Sequence, residues 1–266
     1  MTFSATNLAP FLEELAANAW PPLITQRLDG WQLGFSYGAT RRANSILPNE
    51  ANHYHDVLQK IVWAEQWYAR HGLPACYKLS PAAQPANLAA ILAERGYISS
   101  APTQMRTATV STVLRRDRAC LVSTPSAFRV QLSETFDPAW NVLHGEIERE
   151  DEHTNKIRGQ IFQRISPPCA YITLFNEQNQ PAAIGVGVAE RGWVGIFGMA
   201  TLPQFRRQGA ASQIIRTLAE WGEQQQAKQL YLQVMSQNET AQAVYARLGF
   251  EEIYRYFYCS VSEVKP

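Results

Sequence analysis

Apolar residues recur at helical spacing in some blocks of the chain and alternate with polar ones in others. Leu8 to Asn18 reads as a helix, and Trp31 to Ser36 as a strand leaving an Asp29-Gly30 turn. Leu58 to His71 is helical, Pro74 to Ser80 a strand, and Pro85 to Arg95 a helix closed by Gly96-Tyr97. In the second half Phe128 to Leu132 is a strand. Asp137 can cap a helix that begins at Pro138 and turns Trp140, Leu143 and Ile147 to one face. Another helix covers about Glu152 to Ile165. Tyr171 to Phe175, Ala182 to Ala189 and Trp193 to Met199 form an antiparallel meander, followed by a helix from Ala211 to Gln226. A strand from Leu230 to Met235 and a short helix from Asn238, ended by Gly249, complete the pattern.

The two halves follow one plan. Helix, strand, helix and glycine stop recur at an offset of 153 residues (249 − 96), which sets Leu88 on Ala241, Ile91 on Val244 and Ala93 on Ala246. Self-similarity on this scale implies duplication of a whole domain. The boundary is expected within Leu114 to Ser126, where Arg115-Arg116-Asp117-Arg118 and Ser123-Thr124-Pro125-Ser126 interrupt the strand-like patterns. That gives domains of 1–120 and 121–266. The copies also differ: Pro85 replaces Asn238 and Leu92 replaces Tyr245. The counterpart of Arg206 to Ser212 falls near His53-Tyr54-His55-Asp56, which contains no glycine.

Arg206-Arg207-Gln208-Gly209-Ala210-Ala211-Ser212 lies between a strand and a helix. A glycine turn opening a helix presents amides with no intrahelical partner beside the positive end of the helix dipole. This is an anion cradle, and Gly209, Ala210 and Ala211 let a phosphate approach the backbone closely. No Gly-Lys-Ser/Thr follows, so it is not a P-loop; Gly185-Val186-Gly187 lies inside a strand, so it is no dinucleotide fingerprint. The spacing Arg-x-x-Gly-x-Ala resembles the coenzyme A loop of the GNAT N-acetyltransferases. Asn238 to Phe250 resembles that family's second signature, Asn-x-x-Ala-x-x-x-Tyr-x-x-x-Gly-Phe, with each defining position filled. The resemblance covers Trp193 to Tyr258 strongly and Phe128 to Glu190 more loosely. It implies an α/β (α+β) fold of two tandem GNAT-like domains, each a mixed, mostly antiparallel central sheet flanked by helices. The N-terminal copy would be degenerate.

The resemblance also implies roles. Backbone of Met199, Ala200 and Thr201 would line the pantetheine arm, with an N–H near Met199 facing the oxyanion. Gln208, Gly209, Ala210, Ala211 and Ser212 would hold the pyrophosphate, aided by Arg206 and Arg207. Asn238 would contact pantetheine, and Tyr245 would protonate the departing thiolate as a phenol of pKa ~10. Read alone, Tyr245 is a core aromatic, Arg206 a surface arginine and Asn238 a helix cap. No acid on Val194 to Met199 can serve as general base, which leaves Glu150 or His153 of the acidic run, or a water chain. Arg41 and Arg42 follow an aromatic strand and suit a carboxylate on the acceptor, or form an exposed structural loop. His53 and His55 have strand spacing for a metal but no third ligand, so no metal is expected.

A net charge of +1 gives no electrostatic reason to expect nucleic acid or an anionic membrane as partner. The N-terminus lacks a basic, apolar leader, and no apolar run approaches the ~20 residues of a membrane helix. Four scattered cysteines without metal-ligand spacing favour reduced thiols and a cytoplasmic address. The expected activity is transfer of acetyl from acetyl-CoA (coenzyme A) to a primary amine of a small molecule, by direct attack in a ternary complex. The alternatives are a protein or peptide amine, or a coenzyme A-binding sensor without turnover. Aminoacyl transfer from charged tRNA would want a basic groove and no coenzyme A loop, the opposite of this chain. Self-association is left open.

Overall fold

The computed structural model describes residues 5–51, 54–121 and 128–261, with backbone alone at 5–7 and 117–121. The chain runs α1 (Ala5–Asn18), β1 (Ile24–Leu28), β2 (Trp31–Phe35), β3 (Ile46–Leu47), α2 (Val57–Arg70), β4 (Cys76–Leu79), α3 (Leu88–Glu94) and β5 (Ile98–Thr109). It continues through α4 (Val110–Leu121), β6 (Arg129–Ser133), α5 (Pro138–Glu148), α6 (Glu152–Gln163), β7 (Cys169–Phe175), β8 (Pro181–Glu190) and β9 (Trp193–Thr201). Then follow α7 (Ala210–Gln224), β10 (Gln229–Met235), α8 (Glu239–Arg247) and β11 (Glu251–Ser260). Contacts divide the chain into two units. One is Met1–Gln104, Lys156–Arg164 and Tyr254–Pro266; the other is Met105–Asn155 and Ile165–Ile253.

In the first unit the strand order is β1-β2-β3-β4-β11. Asp29 and Gly30 both take positive φ, 42° and 84°. That is the pair of conformations a two-residue hairpin turn requires, and β1 and β2 pair antiparallel across it. β3 runs parallel to β4, and the end of β11 pairs antiparallel with β4. Trp31, Tyr68 and Tyr77 fill the core, and the Tyr68 hydroxyl donates to the Gly34 carbonyl at 2.6 Å. Glu13 and Lys78, both buried, pair at 2.7 Å. The Tyr254 hydroxyl donates to Glu13 at 2.9 Å, and Lys78 Nζ stands 4.1 Å from the Tyr256 ring centroid. A buried ion pair needs such added partners to offset its desolvation.

In the second unit the order is β5-β10-β9-β8-β7-β6. β7 to β9 form the expected antiparallel meander, β6 pairs antiparallel with β7, and β9 and β10 are parallel. α7 buries Ile214, Ile215 and Leu218 completely, each contributing about 1.5–3 kcal/mol. Gly185 and Gly187 on β8 make room for this packing. A Cβ at Gly185 would meet Ile214 and Met199 at 2.7 Å, and one at Gly187 would meet Leu218 at 2.8 Å. The Gly185-Val186-Gly187 run is thus strand floor for a helix.

Val110 to Leu121 forms a helix where charged residues suggested an interruption. Its apolar face of Val110, Val113 and Leu114 belongs to the second core, and α4 packs on α7. The Ser123 to Ser126 part of the expected boundary lies outside the described residues. On α5 the buried positions are Trp140, Asn141, His144, Gly145 and Ile147. Leu143 is only half-buried, so His144 takes the place expected for it on the inner face.

The two halves match in backbone detail. Gly96 and Gly249 both have positive φ, 83° and 95°. Gly96 N donates to Ala93 O and Tyr97 N to Leu92 O, each at 3.0 Å; Gly249 N donates to Ala246 O at 3.0 Å and Phe250 N to Tyr245 O at 2.9 Å. These are matching glycine-stopped helix ends. β5 and β11 occupy equivalent places after α3 and α8. Yet β5 neighbours β10, and β11 neighbours β4. Each contact unit therefore includes strand from both copies, and the break within the second unit falls at Lys156–Arg164, mostly α6, which groups with the first.

Candidate acetyl-transfer site

The parallel β9–β10 ladder runs from Trp193↔Gln229 to Ile196↔Leu232 and stops there, although β9 continues to Thr201 and β10 to Met235. The strands part beyond Ile196. On the other edge of β9 the register against β8 slips between Ile184↔Ala200 and Val186↔Phe197, a bulge around Gly198 and Met199. A bulge re-aims the backbone and ends pairing. Gly198 takes φ 54°, which glycine accepts without strain. Met199 turns its thioether toward Gly185, so its side chain belongs to packing and only its backbone can serve the cleft. Ala200 is buried and Thr201 half-buried. The Thr201 carbonyl accepts from Arg206 Nε at 3.2 Å.

Beyond β9 the chain makes a short turn at Pro203–Phe205 and enters the cradle. Arg206, Arg207, Gln208 and Gly209 are exposed, and Arg207 and Gly209 have φ of 61° and 86°. Gly209 is the N-cap of α7 and provides no side-chain cap. The first helical bond is Gln213 N to Gly209 O at 3.0 Å, so the amides of Ala210, Ala211 and Ser212 precede the intrahelical ladder. Nothing lies within 4 Å of a Cβ built on Gly209. The opening, the amides and the dipole fit an anionic diphosphate. Arg247 of α8 also reaches this turn, donating to Ser212 Oγ at 3.3 Å. Sequence reasoning missed Arg247, because one arginine on an exposed helix face carries no local signal.

Asn238 caps α8, its Oδ1 accepting from Ala241 N at 3.1 Å. The cap uses the carbonyl oxygen and not the amide N–H pair. Tyr245 is buried, its ring centroid 6.0 Å from that of Phe250. Burial pushes its phenol up to about 12. It therefore remains a hydrogen-bond donor at any pH near neutral, and a weaker acid than an ordinary phenol.

On α5, Trp140 Nε1 donates to Ile172 O at 2.9 Å, and the Trp140 and His144 rings stand 5.7 Å apart. A Cβ placed on Gly198 would meet Trp140 Cη2 at 3.2 Å and His144 Cδ2 and Nε2 at 3.5 Å. The imidazole edge therefore lies directly over the β9 bulge. The available signal was Trp140, His144 and Ile147 at one-face helical spacing. Glu150 lies in the turn after α5, its N–H bonded to Gly145 O at 2.9 Å, and His153 is exposed at the start of α6. In the first unit the Arg41 guanidinium sits 5.4 Å from the Tyr258 ring centroid and that of Arg42 5.1 Å from Trp20. His53 lies outside the described residues, and His55 faces Asp29 at 3.6 Å. Among the described residues no group of three or more His, Cys, Asp or Glu could hold a metal, and no helix is long and apolar enough to cross a membrane. Cys76, Cys169 and Cys259 are free and buried, and burial raises all three thiols.

A splayed parallel strand pair followed by an uncapped helix N-terminus defines the GNAT class of acyltransferase folds. A solved GCN5-related N-acetyltransferase from Kribbella flavida shares the fold at a TM-score of 0.66, with 16% identity over 98% of this chain and 96% of that one. The chain belongs to the family described as probable histone acetyltransferase Rv0428c C-terminal, which matches residues 10–259. It is 28% identical to the uncharacterized N-acetyltransferase YobR of Bacillus subtilis over 93% of this chain and 96% of the relative. A shorter match, 34% over 58 residues, is to an aminoglycoside N(6')-acetyltransferase type 1 of Salmonella typhimurium, 22% of this chain and 40% of that protein.

Proposed function

We propose that the protein transfers acetyl from acetyl-CoA to a primary amine of a small molecule, with the chemistry in the C-terminal copy (121–266). The observation that carries this reading is the parting of β9 from β10 beside an α7 N-terminus left open by Gly209. Acetyl-CoA supplies an activated acetyl as a thioester. The amides of Ala210 to Ser212, with Arg206, Arg207, Gln208 and Arg247, hold its diphosphate. Backbone from Met199 to Thr201, beyond the end of the β10 ladder, orients the pantetheine arm, and an N–H near Met199 steadies charge building on the carbonyl oxygen. Asn238 contacts the same arm with its amide N–H. Tyr245 donates a hydrogen bond to the departing sulfur and passes it a proton as charge accumulates.

The 1–120 copy supports the structure and shapes acceptor selection, with Arg41 and Arg42 suited to a carboxylate. The short match to an aminoglycoside-modifying enzyme and the near-neutral charge support a small acceptor. The family description favours a protein amine as second reading. Thiol release from acetyl-CoA, measured against a panel of small amines, amino acids and basic peptides, tests both. Turnover on small amines alone supports the proposal, and turnover only on peptides replaces it with the second reading. Tight acetyl-CoA binding without turnover on any acceptor would make the protein a coenzyme A sensor.

A further inference from the structure

We infer that His144 is the general base that removes the proton from the acceptor amine, an inference that rests on the acetyl-transfer reading above. β9 carries no titratable side chain from Trp193 to Thr201, so a side-chain base has to come from another element, and one packed against β9 is best placed. α5 is such an element. Its His144 is 6% exposed and places Cδ2 and Nε2 3.5 Å from where a Gly198 Cβ would stand. Gly198 leaves that position empty, so the imidazole faces the bulged backbone with no side chain between. The neighbouring residue, Met199, is the one whose N–H faces the developing oxyanion. Trp140, tied to Ile172 O, flanks the ring and limits its rotation. The three heavy atoms nearest a Cβ on Gly198 belong to Trp140 and His144, not to Glu150 or His153.

Imidazole is the side chain whose proton affinity lies nearest neutral pH, which suits it to take a proton from an ammonium. Nε2 takes one proton from the alkylammonium, and the freed nitrogen pair attacks the thioester carbonyl carbon. The C–N bond forms and the C–S bond breaks, with its electron pair left on sulfur. A second proton leaves the amide nitrogen and reaches sulfur through the Tyr245 phenol, which regains the one it gave. The imidazolium then releases its proton to solvent. Two other titratable groups on β7 are Tyr171, whose ring centroid lies 5.4 Å from that of Trp140, and Cys169. Burial raises both, Cys169 to about 11. Neither produces a rate limb on the acid side. Glu146 and Glu148 on α5 are exposed.

The test combines kinetics with NMR on the full chain. In the wild type the His144 ring signal, identified by its NOE to Trp140, should shift when acetyl-CoA is added. His144→Gln should lower kcat by ~10²–10⁴ and remove the decline of rate toward low pH, with acetyl-CoA affinity kept. Imidazole in the buffer should restore part of the activity of His144→Ala. A His144 signal unmoved by bound acetyl-CoA overturns the inference, whether or not the variants fold. So does an unchanged pH profile in His144→Gln, or loss of the acid limb in His153→Gln instead. Wild-type protein that releases no thiol with any amine sinks the transferase reading itself, a failure separate from these.

Discussion

The starts of α2 and α7 are the same place in the two copies, 153 residues apart (209 − 56), and they are built for opposite purposes. The N-cap of α2 is Asp56, whose carboxylate accepts from Leu58 N at 2.8 Å and Gln59 N at 3.2 Å. Its first turn is satisfied and already carries a negative charge. The N-cap of α7 is Gly209, with no side chain to offer and open space around it. A second contrast follows at Leu92 and Tyr245: apolar core in one copy, a phenol in the other. The glycine-stopped helix ends and the parallel strand pairs persist in both. The fold therefore depends on features both copies kept, while the proposed ligand site would depend on one N-cap and one hydroxyl. A helix N-terminus binds an outside anion only while its own cap does not supply one.

Three substitutions and one pH dependence test that contrast. Tyr245→Phe makes the second copy resemble the first at the leaving group and should lower turnover by ~10²–10⁴, with acetyl-CoA affinity nearly kept; steady-state kinetics and calorimetry separate the two. Gly209→Asp recreates the Asp56 cap and sets a like charge against the diphosphate, at a residue whose φ of 86° strains any side chain. The lost charge-assisted bonds, about 1.5–3 kcal/mol, should weaken acetyl-CoA binding roughly 10- to 100-fold. Asp56→Ala should cost about 1 kcal/mol of stability in urea unfolding and leave the acetyl-CoA dissociation constant unchanged. The smallest effect is on pH. With the Tyr245 phenol raised to about 12 by burial, turnover should show no alkaline limb from this residue between neutrality and pH 10. The sign for stability is a loss. Between the unfolded value of ~10 and about 12 the unfolded chain ionises and the folded one does not, so stability falls as pH rises through that window.

Much of the second copy was legible because its signals are local. Asp137-Pro138, the Gly209 turn and the Gly249 stop each specify a backbone conformation by themselves. α4 was not read as a helix because Arg115-Arg116-Asp117-Arg118 obscured the face made by Val110, Val113 and Leu114. β5 was missed because Ile98 to Thr109 buries Thr103, Gln104, Met105 and Ala108 without alternating apolar positions. Strands of one copy lying beside those of the other are a tertiary outcome that no window of sequence contains. The cradle could be read from spacing. The position of His144 over Gly198 could not, since it depends on how α5 packs on β9.

Under the proposed function one copy binds coenzyme A and the other does not. Calorimetric titration of the intact chain with acetyl-CoA measures it directly through stoichiometry. One site per chain is expected, severely weakened by Gly209→Asp and untouched by Asp56→Ala. Two sites per chain, or undiminished binding in Gly209→Asp, would contradict it.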